Sequence, residues 1–146
     1  MDESRPGSDL AVRLRAGIDK QAQEESEREL ERRRVESNAR QRRIALMNDL
    51  KHFGETVGHF RVSQRWGSLV LRYRKQTLRF KPAGPDVRVT GDGLSGDWRC
   101  TFHPKLTRWV LVHEARGEKQ STLVLFDEGL STLVERCLQV CVDESR

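Results

Sequence analysis

The sequence predicts an α+β protein with a long N-terminal helix, a six-stranded antiparallel meander sheet and a C-terminal amphipathic helix packed on the sheet's apolar face. Apolar and polar residues alternate from Ser68 to Phe126, as side chains do on strands that have one buried face. The connections between the alternating stretches are short and rich in turn-forming residues, so neighbouring strands must run antiparallel. The segments on either side of this stretch show helical spacing instead.

The N-terminal part of the chain is predicted to be a leader followed by a charged helix. Residues 1–8 are polar and contain Pro and Gly, which predicts a disordered leader. Residues 9–53 are predicted to form a helical arm about 65 Å long, capped by Ser8 or Asp9. Its first turns carry an apolar stripe at intervals of four residues, and its middle is laced with acid-before-base pairs such as Glu29–Arg33.

The end of this helix has two interpretations. Lys51 and His52 followed by Gly54 resemble a helix C-terminus, which would end the arm at residue 53. However, an apolar rhythm of the kind found in coiled coils continues beyond Gly54, which favours a helix that bends there and runs on to about residue 61. Here the helix must pack against the sheet or against a partner helix.

Residues 54–142 are predicted to form the sheet and C-terminal helix domain, and residues 143–146 a polar tail. A turn is expected at Ser63–Gly67. The six predicted strands are Ser68–Arg74, Thr77–Pro82, Asp86–Thr90, Asp97–His103, Arg108–Glu114 and Gln120–Phe126. Asp127 is expected to cap the final helix, whose apolar residues follow a 3,4 spacing.

The two faces of the predicted sheet differ in chemistry. One alternation phase is apolar and the other is basic. The basic phase provides the candidate anion-binding residues Arg72, Arg74, Arg79, Lys81, Arg88, Arg99 and Arg108. The stretch from Gln64 to Phe126 contains 12 Lys/Arg against 5 Asp/Glu, a net charge of +7, whereas residues 127–146 carry a net charge of −3. Such a basic field favours an encounter with nucleic acid, anionic lipid or an acidic protein.

Nucleic-acid phosphates are the expected partner of the basic phase, because the planar fork of arginine pairs with phosphate through two hydrogen bonds. The sheet aromatics lie on the apolar phase, so no aromatic ladder for stacking on bases accompanies the arginines; they are Tyr73, Phe80, Trp98, Phe102 and Trp109. Contacts to a duplex backbone are therefore favoured over single-strand binding. The competing interpretation is an ordinary solvated outer face.

The alternative function is that of a protein–protein adaptor or structural component that acts through its N-terminal helical arm, by self-association or by docking on a partner. The arginine-rich part of that arm, Arg32–Arg43, is interleaved with glutamates and is better explained as a solvated, ion-paired face than as a groove-binding helix.

No motif in the sequence indicates catalysis, a metal or a cofactor, so a non-enzymatic protein is expected. The three cysteines are predicted to be buried and do not form a disulfide framework, and His113 is expected at the rim of the sheet. The loop Thr90–Asp97 matches neither a phosphate-binding loop nor a calcium loop. No signal peptide and no membrane span are expected, which favours a cytoplasmic location.

Overall fold

A computed structural model describes residues 5–115, 117 and 119–142. It confirms the α+β fold: a long N-terminal helix precedes an antiparallel sheet and a C-terminal helix. Most of the leader expected at residues 1–8 and the tail expected at 143–146 lie outside the described residues. The chain divides into two compact units, Met1–Ala39 and Arg40–Arg146.

Helix α1 runs from Ser8 to Val57 and is continuous through Gly54. It therefore ends between the two positions considered from the sequence, after residue 53 and before residue 61. Gly58 has a φ of +81°, a left-handed conformation that commonly follows the last helical turn. Phe60 lies beyond the helix, and the chain turns directly into a strand.

Gly54 lets α1 lie close to the sheet. A Cβ built on this buried glycine would stand 2.6 Å from Leu71 Cδ2 and 2.9 Å from Val62 Cγ2. A glycine that looked like a helix stop in the sequence is thus a site of close helix–sheet packing.

The sheet has seven strands in sequence order rather than six, and every neighbouring pair is antiparallel. Their bounds are β1 Arg61–Arg65, β2 Ser68–Tyr73, β3 Gln76–Ala83, β4 Asp86–Gly91, β5 Asp97–His103, β6 Arg108–Glu114 and β7 Ser121–Val124.

The additional strand, β1, replaces most of the turn that was expected at Ser63–Gly67. Only Trp66 and Gly67 form the turn, with φ angles of 54° and 75°. Val62 is the one apolar residue of β1 on the inward phase, so the strand has no visible apolar alternation in the sequence.

The core lies between three parts of the chain: the inward face of the sheet, the C-terminal turns of α1 and the C-terminal helical segment. That segment comprises α2, Leu130–Leu133, flanked by wider π-type turns at Leu125–Gly129 and Val134–Leu138. Asp127 has non-helical backbone angles and comes just before the regular helical turns. The buried residues that form this core are Leu46, Met47, Leu50, Leu69, Leu71, Leu78, Phe80, Val87, Val89, Trp98, Cys100, Leu111, Leu125, Leu130, Leu133, Val134, Cys137 and Leu138.

The β6 end of the sheet is buried on both faces. Val110 and Val112 share the outward phase of Arg99, yet only 2% and 4% of their surface is exposed. In the sequence these valines interrupt the polar phase of β6, a pattern typical of a strand that is covered on both faces.

Candidate functional site

The register of the strands brings four of the predicted basic residues together on the outward face of β2, β3 and β4. Direct partners in an antiparallel pair project to the same face. Arg79 is opposite Val70 on one side and Thr90 on the other, and Lys81 is opposite Arg88. Arg72 lies on the same phase as Val70, and all four basic side chains are exposed.

Two further arginines that sequence analysis did not assign extend this group across β1. Arg61 is the direct partner of Arg72, and Arg65 is the partner of Ser68 at the start of β2. We call the resulting set the outer-face cluster; it consists of Arg61, Arg65, Arg72, Arg79, Lys81 and Arg88. Val62 is the only apolar residue of β1, so no alternation in the sequence pointed to this strand or to its two arginines.

Like charges face each other directly within the outer-face cluster. Arg61 and Arg72 form one such pair, and Lys81 and Arg88 form another. On the far side of β4, Arg88 is also opposite Arg99, so three cations follow one another across β3, β4 and β5. Directly opposed side chains have Cβ atoms about 4.5–5.5 Å apart, which makes these close contacts between like charges.

Arg99 differs from the outer-face cluster because acids neutralise it. Its Nη1 lies 2.9 Å from Asp97 Oδ2 and its Nη2 lies 3.6 Å from Glu114 Oε1. Among the residues that the structure describes, no carboxylate lies within ion-pair distance of any member of the outer-face cluster. Asp86 shares the outward phase of β4 and stands opposite Ala83, at the end of the strand.

The other two predicted site residues lie apart from the outer-face cluster. Arg74 is in the β2–β3 turn with a φ of 57°, and its guanidinium carbon is 5.4 Å from the centroid of the Tyr73 ring. Arg108 is the first residue of β6, where it is exposed and opposite His103. The sequence pattern had treated both as ordinary members of one face.

Trp66 is the most exposed large apolar residue among those described, with 94% of its surface accessible. It occupies the two-residue turn between β1 and β2, directly after Arg65. Trp66 falls in the turn that the sequence predicts at Ser63–Gly67, outside the predicted strands whose aromatics lie on the apolar phase.

His113 is partly buried and lies against Trp98 and the Ser95 carbonyl. Its ring stacks on Trp98 with centroids 3.8 Å apart and an interplanar angle of 11°. The Ser95 carbonyl accepts a hydrogen bond from Trp98 Nε1 at 2.9 Å and lies 3.1 Å from His113 Nε2. A carbonyl is only an acceptor, so His113 Nε2 carries a hydrogen when this bond is made.

The cysteines form a metal site neither with one another nor with other side chains in the described ranges. No group of three or more His, Cys, Asp or Glu residues there is placed to hold a metal ion. Cys100 and Cys137 are buried, as expected, but Cys141 is exposed, and the prediction for it was wrong. Burial raises the pKa of the Cys137 thiol to about 11, and it raises the pKa of Cys100 still further.

An apolar groove of about 430 Å³ is lined by none of the residues of the outer-face cluster. The end of α1 and the C-terminal helical segment form its walls, with Phe53, Val57, Phe126, Leu130 and Val134 among the lining residues. None of these residues had been predicted to line a site, because their spacing indicates core packing.

Comparison with protein-family models, with curated proteins and with solved structures gives no match for this chain. Within the described ranges, every helix is too short or too polar to span a bilayer.

Proposed function

We propose that this protein is a non-enzymatic, cytoplasmic binding protein whose outer-face cluster contacts the phosphates of a nucleic-acid duplex. The observation that carries the proposal is the direct opposition of like charges, Arg61 to Arg72 and Lys81 to Arg88, with no carboxylate at ion-pair distance in the described chain. Like charges directly opposite one another destabilise a sheet. An anion that binds between them removes the repulsion and gains two favourable interactions.

Arg99 supplies the internal comparison for this argument. An ordinary solvated sheet face mixes charges of both signs, as Arg99 does with Asp97 and Glu114. On the outward phase of strands β1 to β4, six basic residues stand against one acid, Asp86 at the end of β4, and none of the six is within ion-pair distance of a carboxylate in the described ranges. This contrast within one sheet supports a ligand-binding role for the β1–β4 side and a structural role for Arg99.

Phosphate is the anion best matched to this arrangement. Arginine presents a flat fork of donors that suits phosphate oxygens, and five of the six members of the outer-face cluster are arginines. The members are spread over four strands that are about 4.8 Å apart, so they match a series of phosphates better than one small ion. A duplex offers such a series along each strand.

Salt-dependent binding of the full-length protein to a duplex tests the proposal. Affinity for a DNA duplex should fall tenfold or more between about 50 and about 200 mM salt, because bound phosphates release counterions. The double variant Arg72→Ala with Arg79→Ala should weaken binding and lower the slope of log affinity against log salt by roughly 2.

The matched control removes the same charge from the helix. Arg33→Gln with Arg34→Gln should leave duplex binding unchanged, because these side chains lie in the other unit and are paired with Glu29 and Glu31. The proposal fails if wild-type protein shows no binding at low salt, or if the Arg72 and Arg79 double variant binds like wild type.

A second candidate function is self-association through the N-terminal part of α1. Leu10, Leu14 and Ile18 recur every four residues and are 55%, 57% and 63% exposed. A second copy of the same segment is the occupant we propose for this stripe, because the flanking residues carry both signs of charge and can pair between copies; they are Asp9, Arg13, Arg15, Asp19 and Lys20.

Analytical ultracentrifugation separates the two functions. If the second candidate is correct, the full-length chain sediments as an oligomer, and Leu14→Glu with Ile18→Glu converts it into a folded monomer. Deletion of residues 1–38 should have the same effect while the circular dichroism of the sheet is retained. A wild-type chain that is monomeric at all concentrations contradicts the self-association of the helix.

A further inference from the structure

The turn between β1 and β2 carries a residue that its backbone does not favour. Trp66 and Gly67 both have positive φ, which corresponds to the type I′ geometry of two-residue hairpins. That geometry favours Asn-Gly or Asp-Gly, and a bulky residue in a left-handed conformation is strained. Trp66 adopts this strained conformation, and its side chain makes little packing contact in return, since 94% of its surface is exposed. Neither the turn nor the core therefore accounts for a tryptophan here.

The turn lies at one end of the outer-face cluster. Arg65 directly precedes Trp66, and its cross-strand partner Ser68 begins the strand that carries Arg72. Four residues of extended chain separate Ser68 from Arg72, which is a distance of about 13 Å. One strand of a duplex presents a phosphate about every 3.4 Å along the helix axis, so this length corresponds to about four nucleotides.

We infer that Trp66 stacks on an unpaired base where a duplex held by the outer-face cluster ends or opens into a single strand. This inference rests on the proposed function and deepens it by naming the ligand, a duplex with a single-stranded overhang rather than a continuous duplex. An indole offers a flat face to any base, and such stacking tolerates all sequences. In a continuous duplex the bases are already stacked on each other, so the tryptophan has nothing to contact.

The geometry favours nucleic acid over a lipid surface. Tryptophan also enters membrane interfaces, where basic residues would surround it in one plane. Here the outer-face cluster extends along the outward face of the sheet, and Arg72 lies about 13 Å along its strand from the turn end. A planar membrane entered by Trp66 would leave in water those residues of the outer-face cluster that lie far from the β1–β2 turn. A rod-like duplex can follow the outward face of the sheet and end at this turn.

Binding to paired probes tests the inference. The probes are a blunt DNA duplex of about 15 base pairs and the same duplex with an overhang of about four nucleotides, each labelled at its distal end for fluorescence anisotropy. Wild-type protein should bind the overhang probe more tightly than the blunt probe. Trp66→Asn should lose about 5- to 150-fold in affinity for the overhang probe and change the affinity for the blunt probe less than about twofold.

Trp66→Asn also separates binding from folding, because Asn-Gly is the favoured type I′ pair and should raise the urea midpoint. Leu106→Ala, at an exposed position of the β5–β6 turn, is the matched control and should leave both affinities unchanged. Intrinsic fluorescence adds a direct readout, because Trp98 is buried and Trp109 is half-buried, so that quenching by the overhang probe reports mainly on Trp66.

Each outcome has a distinct meaning. Equal affinity of wild-type protein for blunt and overhang probes, with Trp66→Asn unchanged, overturns the stacking inference and leaves the proposed function standing. If the wild-type protein binds neither probe at low salt, the stacking inference and the proposed function are both overturned. The inference is also overturned if the wild-type protein shows no preference for the overhang probe and vesicles containing phosphatidylserine shift its fluorescence but not that of Trp66→Asn. Trp66 would then be assigned to contact with a membrane.

Discussion

Lys81 on β3 and Arg88 on β4 are direct cross-strand partners on the outward face of the sheet, and both side chains are exposed. Two positive charges in this position repel one another, at a cost of up to about 1 kcal/mol relative to neutral partners. The unliganded protein therefore carries an electrostatic strain that a bound polyanion can relieve.

The first prediction concerns the stability of the unliganded protein. Lys81→Gln should raise the free energy of unfolding by about 0.2–1 kcal/mol at low ionic strength, because it removes the repulsion with Arg88. The gain should shrink as salt is added, since exposed charges are screened. Urea denaturation at two salt concentrations measures both effects.

Arg65→Gln is the control for this prediction. It removes one positive charge from the same outer-face cluster, but its direct partner is the uncharged Ser68. A smaller gain is therefore expected. Equal gains for the two variants would attribute the effect to net charge rather than to the Lys81–Arg88 pair.

The sheet could be predicted from the sequence because its strands β2 to β5 bury one face and leave the other at least partly exposed. Leu69, Leu71, Leu78 and Phe80 are fully buried, and the basic residues between them are exposed. β1 could not be found in this way because Val62 is its only inward apolar residue. A strand that contributes one side chain to the core leaves no alternation for sequence analysis to detect.

The candidate site was predictable only in part, for a related reason. Alternation assigns a side chain to a face but does not specify its neighbours. The register distinguishes Lys81, opposed by Arg88, from Arg99, which reaches two acids. Arg74 lies in a turn with positive φ, and the exposure of Trp66 likewise depends on turn geometry. These relations arise from the pairing of strands and from the geometry of turns, and the alternation of residue types encodes neither.

The second prediction concerns Gly54. Glycine to alanine inside a helix ordinarily stabilises a protein by about 0.5–1 kcal/mol. Gly54→Ala should instead lower the free energy of unfolding by roughly 1–3 kcal/mol, because the new Cβ would stand 2.6 Å from Leu71 Cδ2 in a fully buried side chain. The urea midpoint measures the change.

Gly17→Ala is the matched control, since a Cβ at that helical position would have no neighbour within 4 Å. It should increase helicity by circular dichroism without lowering the urea midpoint. A stabilising effect of Gly54→Ala would contradict the close packing of α1 on Leu71.

The third prediction concerns the stack of His113 on Trp98. His113→Ala should lower the free energy of unfolding by about 1–3 kcal/mol, because it removes both the ring stack and the contact with the Ser95 carbonyl. His113→Phe keeps a flat ring on Trp98 but has no N–H group, so it should recover part of this loss. Thermal or urea unfolding of the two variants provides the comparison, and equal losses would show that stacking contributes nothing.

The fourth prediction concerns pH and Cys137, whose side chain packs so closely on Gly91 that a Cβ there would stand 2.8 Å from its sulfur. Burial raises the pKa of Cys137 to about 11 in the folded protein, whereas an unfolded thiol titrates near about 8.5. Well below about pH 8.5 both states hold the proton, so this group leaves stability independent of pH there.

As the pH rises from about 8 towards the folded pKa of about 11, the unfolded chain loses the proton of Cys137 while the folded chain retains it, so the free energy of unfolding falls. Cys137→Ala should therefore show a smaller decline in urea midpoint between about pH 8 and about pH 10.5 than wild type does. Cys141→Ala, at an exposed position, is the control and should decline as wild type does. An identical decline in Cys137→Ala and wild type would mean that other groups, such as lysines, account for the entire alkaline loss of stability.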